Sequence, residues 1–531
     1  MKILKIILLN LLMLCFALGA SLEEDSTKLL SKSFKKKQNT IEELTLNYKD
    51  DKRLESLLQK MLVGELLYVK ADKTIVYLKS KKDEEYSTTN FFTNEDLKVA
   101  SKYDFKKIKI NNKLRSVIKS SLAKINLFSS DVDNRFKSAK NLLNNLDKKT
   151  EALINEALGN EKDSDVKEVL DEASTILIAK YGTGSPKLEA VKKLGNFLSP
   201  KSLEILNQIK NSSEDKDIKS AAIKSIASIE TSKSFYAILE KAFFGLSMGS
   251  VLLLAAIGLA VTFGVMKVIN MAHGELIMIG AYTTYTIQQI MPGLIEYSII
   301  IAIPAAFIVS GLVGILIERL VIRHLYGRPL ETLLATFGIS LILQQVVRSI
   351  YSPLNQEVKT PEWMSGALEI NSALSLTYNR LYIVVFAIIV FLVVLFVLNK
   401  TSLGLKVRAV SQNREIARAM GIKASWIDAI TFGIGSGIAG VAGVALSQLT
   451  NVGPNLGQAY IVDSFMVVVF GGVGNLWGTL IAAFTLGEIN KFIEPISGAV
   501  LAKVIILVFI ILFIQKRPRG LFPKKGRDAE D

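Results

Sequence analysis

The stretch GLSMGSVLLLAAIGLAVTFGVMKVINMAHGELIMIGAY, residues 245–282, decides how this chain is built. From Gly245 to Met266 it contains no charged side chain. A helix needs roughly 20 such residues to cross the ~30 Å apolar core of a bilayer, so the solvent for this part is lipid. Yet Lys267, Asn270, His273 and Glu275 follow at once, before the apolar residues resume. Ionisable side chains in or beside a membrane span are costly, and so they mark a place where function is expected.

The same contrast extends over the whole chain. Its 531 residues are 50% hydrophobic, with a mean hydropathy of +0.34. Up to about Lys241 the sequence is rich in Lys, Glu, Asp, Asn and Ser, and from Ala242 to Gln515 it is mainly Leu, Ile, Val, Ala, Gly and Phe. The start, MKILKIILLNLLMLCFALGASLEED, has two lysines, an apolar run and small residues before an acidic stretch, the pattern of a secretory signal over residues 1–20. Cys15, the one cysteine, lies within it, so the chain after cleavage has no thiol or disulfide chemistry.

Apolar windows fall at about 243–266, 268–289, 297–318, 331–350, 380–398, 426–449, 461–493 and 499–515. The loops at 318–329, 399–426 and 515–527 are rich in Lys and Arg and are expected in the cytoplasm. Much of the +15 net charge sits in such loops, which assigns it to membrane orientation and not to nucleic acid. With residues 21–240 outside, the parity works only if 461–493 makes no net crossing. Gly471, Gly472, Gly474 and Gly478 interrupt it, and a broken element that turns at these glycines and returns to its own side is expected. Glycines recur at helical spacing in TFGIGSGIAGVAGVALS (431–447), which allows close helix approach in lipid. The G-x-G-x-x-G within it (435–440) follows no strand and is no dinucleotide site. No G-x-x-x-x-G-K-[ST] occurs, so energy for any pumping comes from another chain.

Residues 63–79 suggest a small β-hairpin around KADK, and from about Arg115 the pattern is helical. DSDVKEVLDEASTIL (163–177) and DKDIKSAAIKSIASI (215–229) resemble each other, with two short amphipathic helices expected between them at 185–209. They resemble weak HEAT-type repeats, and an ordinary helical bundle is the alternative. This front half has no histidine, and neither a catalytic triad nor a metal site can be drawn from it.

Residues 245–282, with RAVSQNREIARAMGI (408–422) and GGVGNLWGTLIAAF (471–484), resemble the LivH-type permeases of branched-chain amino acid ABC importers over about 240–525. VTFGVMKVINMAHGE (261–275) and the extension after a signal look more like the urea-type branch. The resemblance implies an all-α polytopic membrane protein with an N-terminal extracytoplasmic, mainly helical domain, HEAT-like and containing a small β-hairpin. The expected divisions are a signal peptide at 1–20, a periplasmic domain at 21–240, a permease domain at 241–517 and a cytoplasmic tail at 518–531. The implied partners are a second homologous permease, two cytoplasmic ATPases, a periplasmic solute-binding protein and membrane lipid, with no cofactor. The resemblance also implies an ATPase coupling loop at Glu415, Ala417 and Gly421, where Ile416 replaces an alanine of the family pattern. A short helix over about 412–421 is expected there, with Ile416 and Met420 as apolar anchors and Arg414 and Arg418 outside.

For the translocation path, Asn270, His273 and Glu275 offer both donors and acceptors, which suits urea, and Thr332 and Thr336 lie one turn apart on another span. One His and one Glu are too few ligands for a metal. Glu318 and Arg319 read as solvated interface residues, His324 as surface, and Glu488 and Lys491 as a local pair. An amino-acid permease is the alternative to a urea permease. A membrane-anchored receptor predicts one or two spans, and a membrane enzyme finds no nucleophile–base set.

Overall fold

The computed structural model describes residues 21–523, apart from 49, 50, 83, 84, 98, 99, 145 and 267. The expected signal segment and residues 524–531 of the tail lie outside the described residues. The chain forms two compact units that divide between Ser232 and Lys233.

The first unit opens with three helices that the sequence reading did not anticipate, α1 (Leu22–Ser26), α2 (Phe34–Asn47) and α3 (Lys52–Val63). α3 buries Leu54, Leu57, Leu58 and Met61, one face of a helix, and stops at Gly64 with φ +84°. β1 (Leu66–Val69) and β2 (Ile75–Lys82) pair antiparallel, Leu67 opposite Val76. The expected hairpin is the centre of a larger sheet. β3 (Glu85–Asn90), β4 (Ala100–Ser101) and β5 (Phe105–Lys107) complete the order β4-β3-β2-β1-β5.

Six helices follow: α4 (Asn112–Asn126), α5 (Val132–Asn144), α6 (Glu151–Asn160), α7 (Ser164–Tyr181), α8 (Gly184–Leu194) and α9 (Pro200–Ser212). Leu142, Ile154, Leu170, Leu194 and Leu206 share one buried cluster with Ala222 and Ile229. Ser199 caps α9. Its hydroxyl donates to Glu172, as does that of Ser202 at 2.6 Å. Burial pushes the Glu172 carboxyl up from its ordinary range, against the pull of these two donors.

The long helix α10 (Lys216–Met266) contributes to both units. After it come α11 (His273–Ile290), α12 (Ile295–Leu320), α13 (Pro329–Tyr351), α14 (Tyr378–Lys400), α15 (Ser402–Gln412), α16 (Arg414–Ala419), α17 (Ala424–Ser447), α18 (Leu456–Gly471), α19 (Leu476–Ser497) and α20 (Ala499–Lys516). A hairpin of β6 (Ala367–Asn371) and β7 (Leu374–Thr377) precedes α14. Among the described residues, six helices are long and apolar enough to cross a membrane: α10, α12 (with the turn at Pro292), α13, α14, α17 and α20. The window at 268–289 becomes the single helix α11, which starts late at His273, whereas the window at 461–493 is divided between α18 and α19.

α17 is the axis of the second unit, and its glycines are the reason. A Cβ on Gly280 of α11 would stand 2.5 Å from Gly440 Cα, and one on Gly437 would stand 2.8 Å from Phe307 O of α12. Only bare backbone lets three helices approach so closely, and in lipid such packing holds them.

The glycines of the broken element make a tight turn. Gly472 and Gly474 have φ of +105° and +74°, and Asn475 caps α19 by accepting from Gly478 N. Leu521 N donates to Phe470 O at 2.9 Å and Asn475 Nδ2 to Phe522 O at 3.1 Å. The turn between α18 and α19 is thus tied to the segment that follows α20. Because α20 follows α19 directly, α18 and α19 run to the far end of the bundle and back. The chain turns at the glycines singled out from the sequence, beside the segment that follows α20, and a Cβ on Gly471 would stand 2.5 Å from Gly478 C.

Candidate functional site

α11 does not start where its apolar window does. Residues 268–272 are irregular, and the helix begins at His273. Three contacts hold this stretch. Met271 N donates to Thr336 Oγ1 at 3.1 Å, Asn270 Oδ1 accepts from Ala272 N at 3.0 Å, and the His273 ring meets Ala255 O at 2.9 Å through Nε2. A carbonyl only accepts, so Nε2 carries the proton and Nδ1 is left as an acceptor. Ala255 precedes the end of α10 by eleven residues, or ~16 Å at 1.5 Å per residue, about half the apolar thickness of a bilayer. α11 therefore begins near mid-depth.

A second helix begins at the same place. α18 starts at Leu456, and Gly457 lies against Gly274: a Cβ on Gly457 would stand 2.8 Å from Glu275 N. Two helix N-termini, with free N–H groups and partial positive charge, meet here.

The buried side of α13 adds a polar row. Thr332, Thr336, Ser340 and Gln344 recur every fourth residue and are all buried, and Arg348 continues the spacing. Glu275, 1% exposed, accepts from Ser340 Oγ at 2.9 Å and Gln344 Nε2 at 2.8 Å, both through Oε1. Gln344 Oε1 accepts from Arg348 at 3.5 Å, and Arg348 donates to Asn455 Oδ1 at 2.7 Å. Asn270 Nδ2, His273 Nδ1 and Glu275 Oε2 are fully buried and meet no hydrogen-bond partner among the described residues.

Four of the five expected path residues thus come together: Asn270, His273, Glu275 and Thr336. Thr332 does not join them, because its hydroxyl bonds Arg328 O at 2.9 Å in the preceding turn. A place in this cluster was not anticipated for Ser340, Gln344, Arg348 and Asn455. The four-residue spacing from Thr332 onward is the signal that points to the first three.

In the basic loop, α16 covers only Arg414–Ala419, shorter than the expected 412–421. Asn413 caps it by accepting from Ile416 N at 2.9 Å, and Gly421 turns the chain with φ +83°. Ala417 is buried with Val407, Val410, Ala424 and Ile427, while Ile416 and Met420 are 62% and 78% exposed and Glu415 is exposed. The expectation that Arg414 lies outside is corrected. Its guanidinium bonds buried Asp428 of α17 and sits 3.9 Å from the Tyr326 ring centre. Aromatic face and carboxylate together fix a planar cation.

Two further expectations change. Glu318 is buried rather than solvated, with Arg319 at 3.7 Å and over the Trp426 ring at 4.8 Å. Lys491 pairs with Glu494 at 2.6 Å and not with Glu488, which packs against Gly245. Inside the bundle, Asp463 of α18 pairs with Lys503 of α20 at 2.9 Å, which the sequence reading overlooked. Among the described residues no group of three or more His, Cys, Asp or Glu is placed to hold a metal ion.

The family model described as branched-chain amino acid transport system / permease component matches residues 241–514. The chain is 30% identical over 295 residues to the high-affinity branched-chain amino acid transport system permease protein BraD of Pseudomonas aeruginosa, covering 54% of this chain and 96% of that protein. It is 29% identical over 305 residues to the corresponding permease protein LivH of Escherichia coli, covering 55% and 97%. It is also similar to the ribose import permease protein RbsC of Escherichia coli, at 27% over 227 residues, covering 41% and 68%. No solved structure matches the chain significantly.

Proposed function

Since the chain belongs to the family of branched-chain amino acid transport system permease components, we propose that it is the membrane permease subunit of an ATP-driven importer of branched-chain amino acids. One observation carries this. The matched region contains two helix N-termini that meet near mid-depth around buried donors and acceptors of Asn270, His273 and Glu275, the arrangement by which transporters receive a polar solute inside the bilayer. ATP hydrolysis then belongs to two separate cytoplasmic subunits, and a solute-binding protein and a second permease complete the assembly. The relatives named above carry amino acids or ribose by their names, so branched-chain amino acids rank ahead of the urea expected from the sequence. Urea remains the second reading, because residues before 241 lie outside the family match and the cluster's amide and carboxylate groups suit a flat neutral amide. The test is uptake of labelled leucine and labelled urea by cells with and without the gene. Loss of saturable leucine uptake alone is expected. Loss of urea uptake alone would replace the first solute by the second, and loss of neither would refute both.

Within that reading, α16 is the contact to the ATPase. Exposed Ile416 and Met420 are its anchors, Glu415 and Gly421 hold the family spacing, and Arg414 and Ala417 seat it on the membrane unit. The front unit, read as a short HEAT-like helix stack, lies on the periplasmic side of the inner membrane, as the basic loops at 399–426 and 515–527 require of the opposite side. There its partner is the binding protein. Cysteines introduced at half-buried Lys201 and exposed Lys406 distinguish the sides. A membrane-impermeant maleimide applied to spheroplasts is expected to label position 201 and spare 406, and the reverse would invert the topology.

A further inference from the structure

We propose that Glu275 and Arg348 are the two ends of a clamp for an α-amino acid zwitterion, with the solute ammonium on Glu275 and the solute carboxylate on Arg348. The inference rests on the importer reading and names the chemistry of its solute site. Glu275 is 1% exposed, and neither Glu275 nor Arg348 has an oppositely charged partner within salt-bridge distance among the described residues. Glu275 uses only Oε1 for its two protein donors and leaves Oε2 without one. Among the described residues Arg348, half-buried, donates to neutral oxygens only, those of Gln344 and Asn455. A buried charge without a counter-charge is expensive, and a ligand that supplies one lowers the cost.

Gln344 occupies the space between them and discloses the polarity of what fits. Its Nε2 donates to Glu275 at 2.8 Å and its Oε1 accepts from Arg348 at 3.5 Å. An amino acid offers the same order, a donor toward the acid and an acceptor toward the base, but with a full charge at each end. The Gln344 carboxamide is thus an internal stand-in that an arriving solute displaces. A neutral amide satisfies the same hydrogen bonds but sets no full charge directly against Glu275 or Arg348, and for that reason the charged solute is favoured. The α18 N-terminus, which Asn455 precedes beside Arg348, adds positive potential on the carboxylate side.

The test measures the permease without its binding protein, which otherwise selects the solute first. Saturation-transfer NMR on the purified, detergent-solubilised permease assembly uses leucine, leucinamide (no carboxylate) and 4-methylpentanoate (no ammonium). Leucine is expected to give a saturable signal that neither half-analogue displaces at tenfold excess. Glu275→Gln and Arg348→Gln are each expected to weaken leucine binding about tenfold or more, the worth of one charge-assisted hydrogen bond, while Arg348→Lys retains part of it. Equal binding of the half-analogues to the wild-type protein would overturn the clamp even if the variants fail to assemble. So would wild-type leucine binding in both Gln variants. Either result leaves leucine uptake by cells untouched, whereas absent leucine uptake with intact urea uptake would remove the importer reading for amino acids itself.

Discussion

Gly280→Val is expected to remove the assembled permease from the membrane, while Gly338→Val leaves its amount unchanged. Both substitutions put a β-branched residue in the interior of an apolar helix, so propensity and hydrophobicity are matched. They differ in what the new atoms meet. At Gly280 a Cβ would stand 2.5 Å from the backbone of Gly440 and nearer still to its carbonyl. Backbone cannot turn aside as a side-chain tip does, and α11 and α17 would have to separate. Overpacking a well-filled core costs about 1–3 kcal/mol, and a forced parting of two helices more than that. At Gly338 nothing lies within 4 Å of the added atom. Immunoblots of membrane fractions and thermal unfolding of the solubilised protein measure the difference. Equal abundance of the two variants would show that the close α11–α17 approach does not sustain the fold.

The second large effect concerns coupling. Arg414→Glu is expected to abolish solute-stimulated ATP hydrolysis by the assembly, and so is Asp428→Arg. Asp428 is 2% exposed, and the Arg414 guanidinium is its partner. Removing one member of a buried pair costs about 3–5 kcal/mol, because the other charge stays behind. Here the loss frees α16 from α17, the helix whose glycines pack against Gly258, Gly280 and the carbonyl of Ile277 beside the His273 cluster. Motion imposed on Ile416 and Met420 would no longer reach that cluster. The double variant Arg414→Asp/Asp428→Arg restores the pairing in reverse and is expected to recover part of the stimulation. Unimpaired stimulation in the single variants would mean that the ATPase is engaged elsewhere.

Much of the membrane unit was legible because lipid imposes a simple demand. A span needs an apolar length, and the chain has such lengths at 297–318, 331–350, 380–398, 426–449 and 499–515, each of which lies within or close to one long helix. The glycine spacing in 431–447 also told that other helices could approach this one closely. What sequence could not tell was where helices stop inside an apolar run. His273 starts α11 because Ala255, eighteen residues away, and Thr336, more than sixty away, hold the preceding stretch. No local pattern records such contacts. For the same reason Glu275 was recognised and its partners were not: Ser340 and Gln344 come from another helix. Arg414 illustrates the opposite error. Arginine in a basic loop reads as solvated, and only the fold brings Tyr326 and Asp428 to it. In the front unit the central hairpin was visible from its alternating apolar residues, whereas β3 to β5 are short, polar strands that gain their place from β1 and β2.

In the proposed function this chain forms the solute path of an ATP-driven importer. The most direct test is accumulation of labelled leucine by proteoliposomes containing this chain, its partner permease and the two ATPases, with binding protein supplied on the side of the front unit. Accumulation above the external concentration is expected when ATP is present on the opposite side, and none when this chain is omitted or ATP is withheld. Accumulation that proceeds without the chain, or with the chain but without ATP, would contradict it.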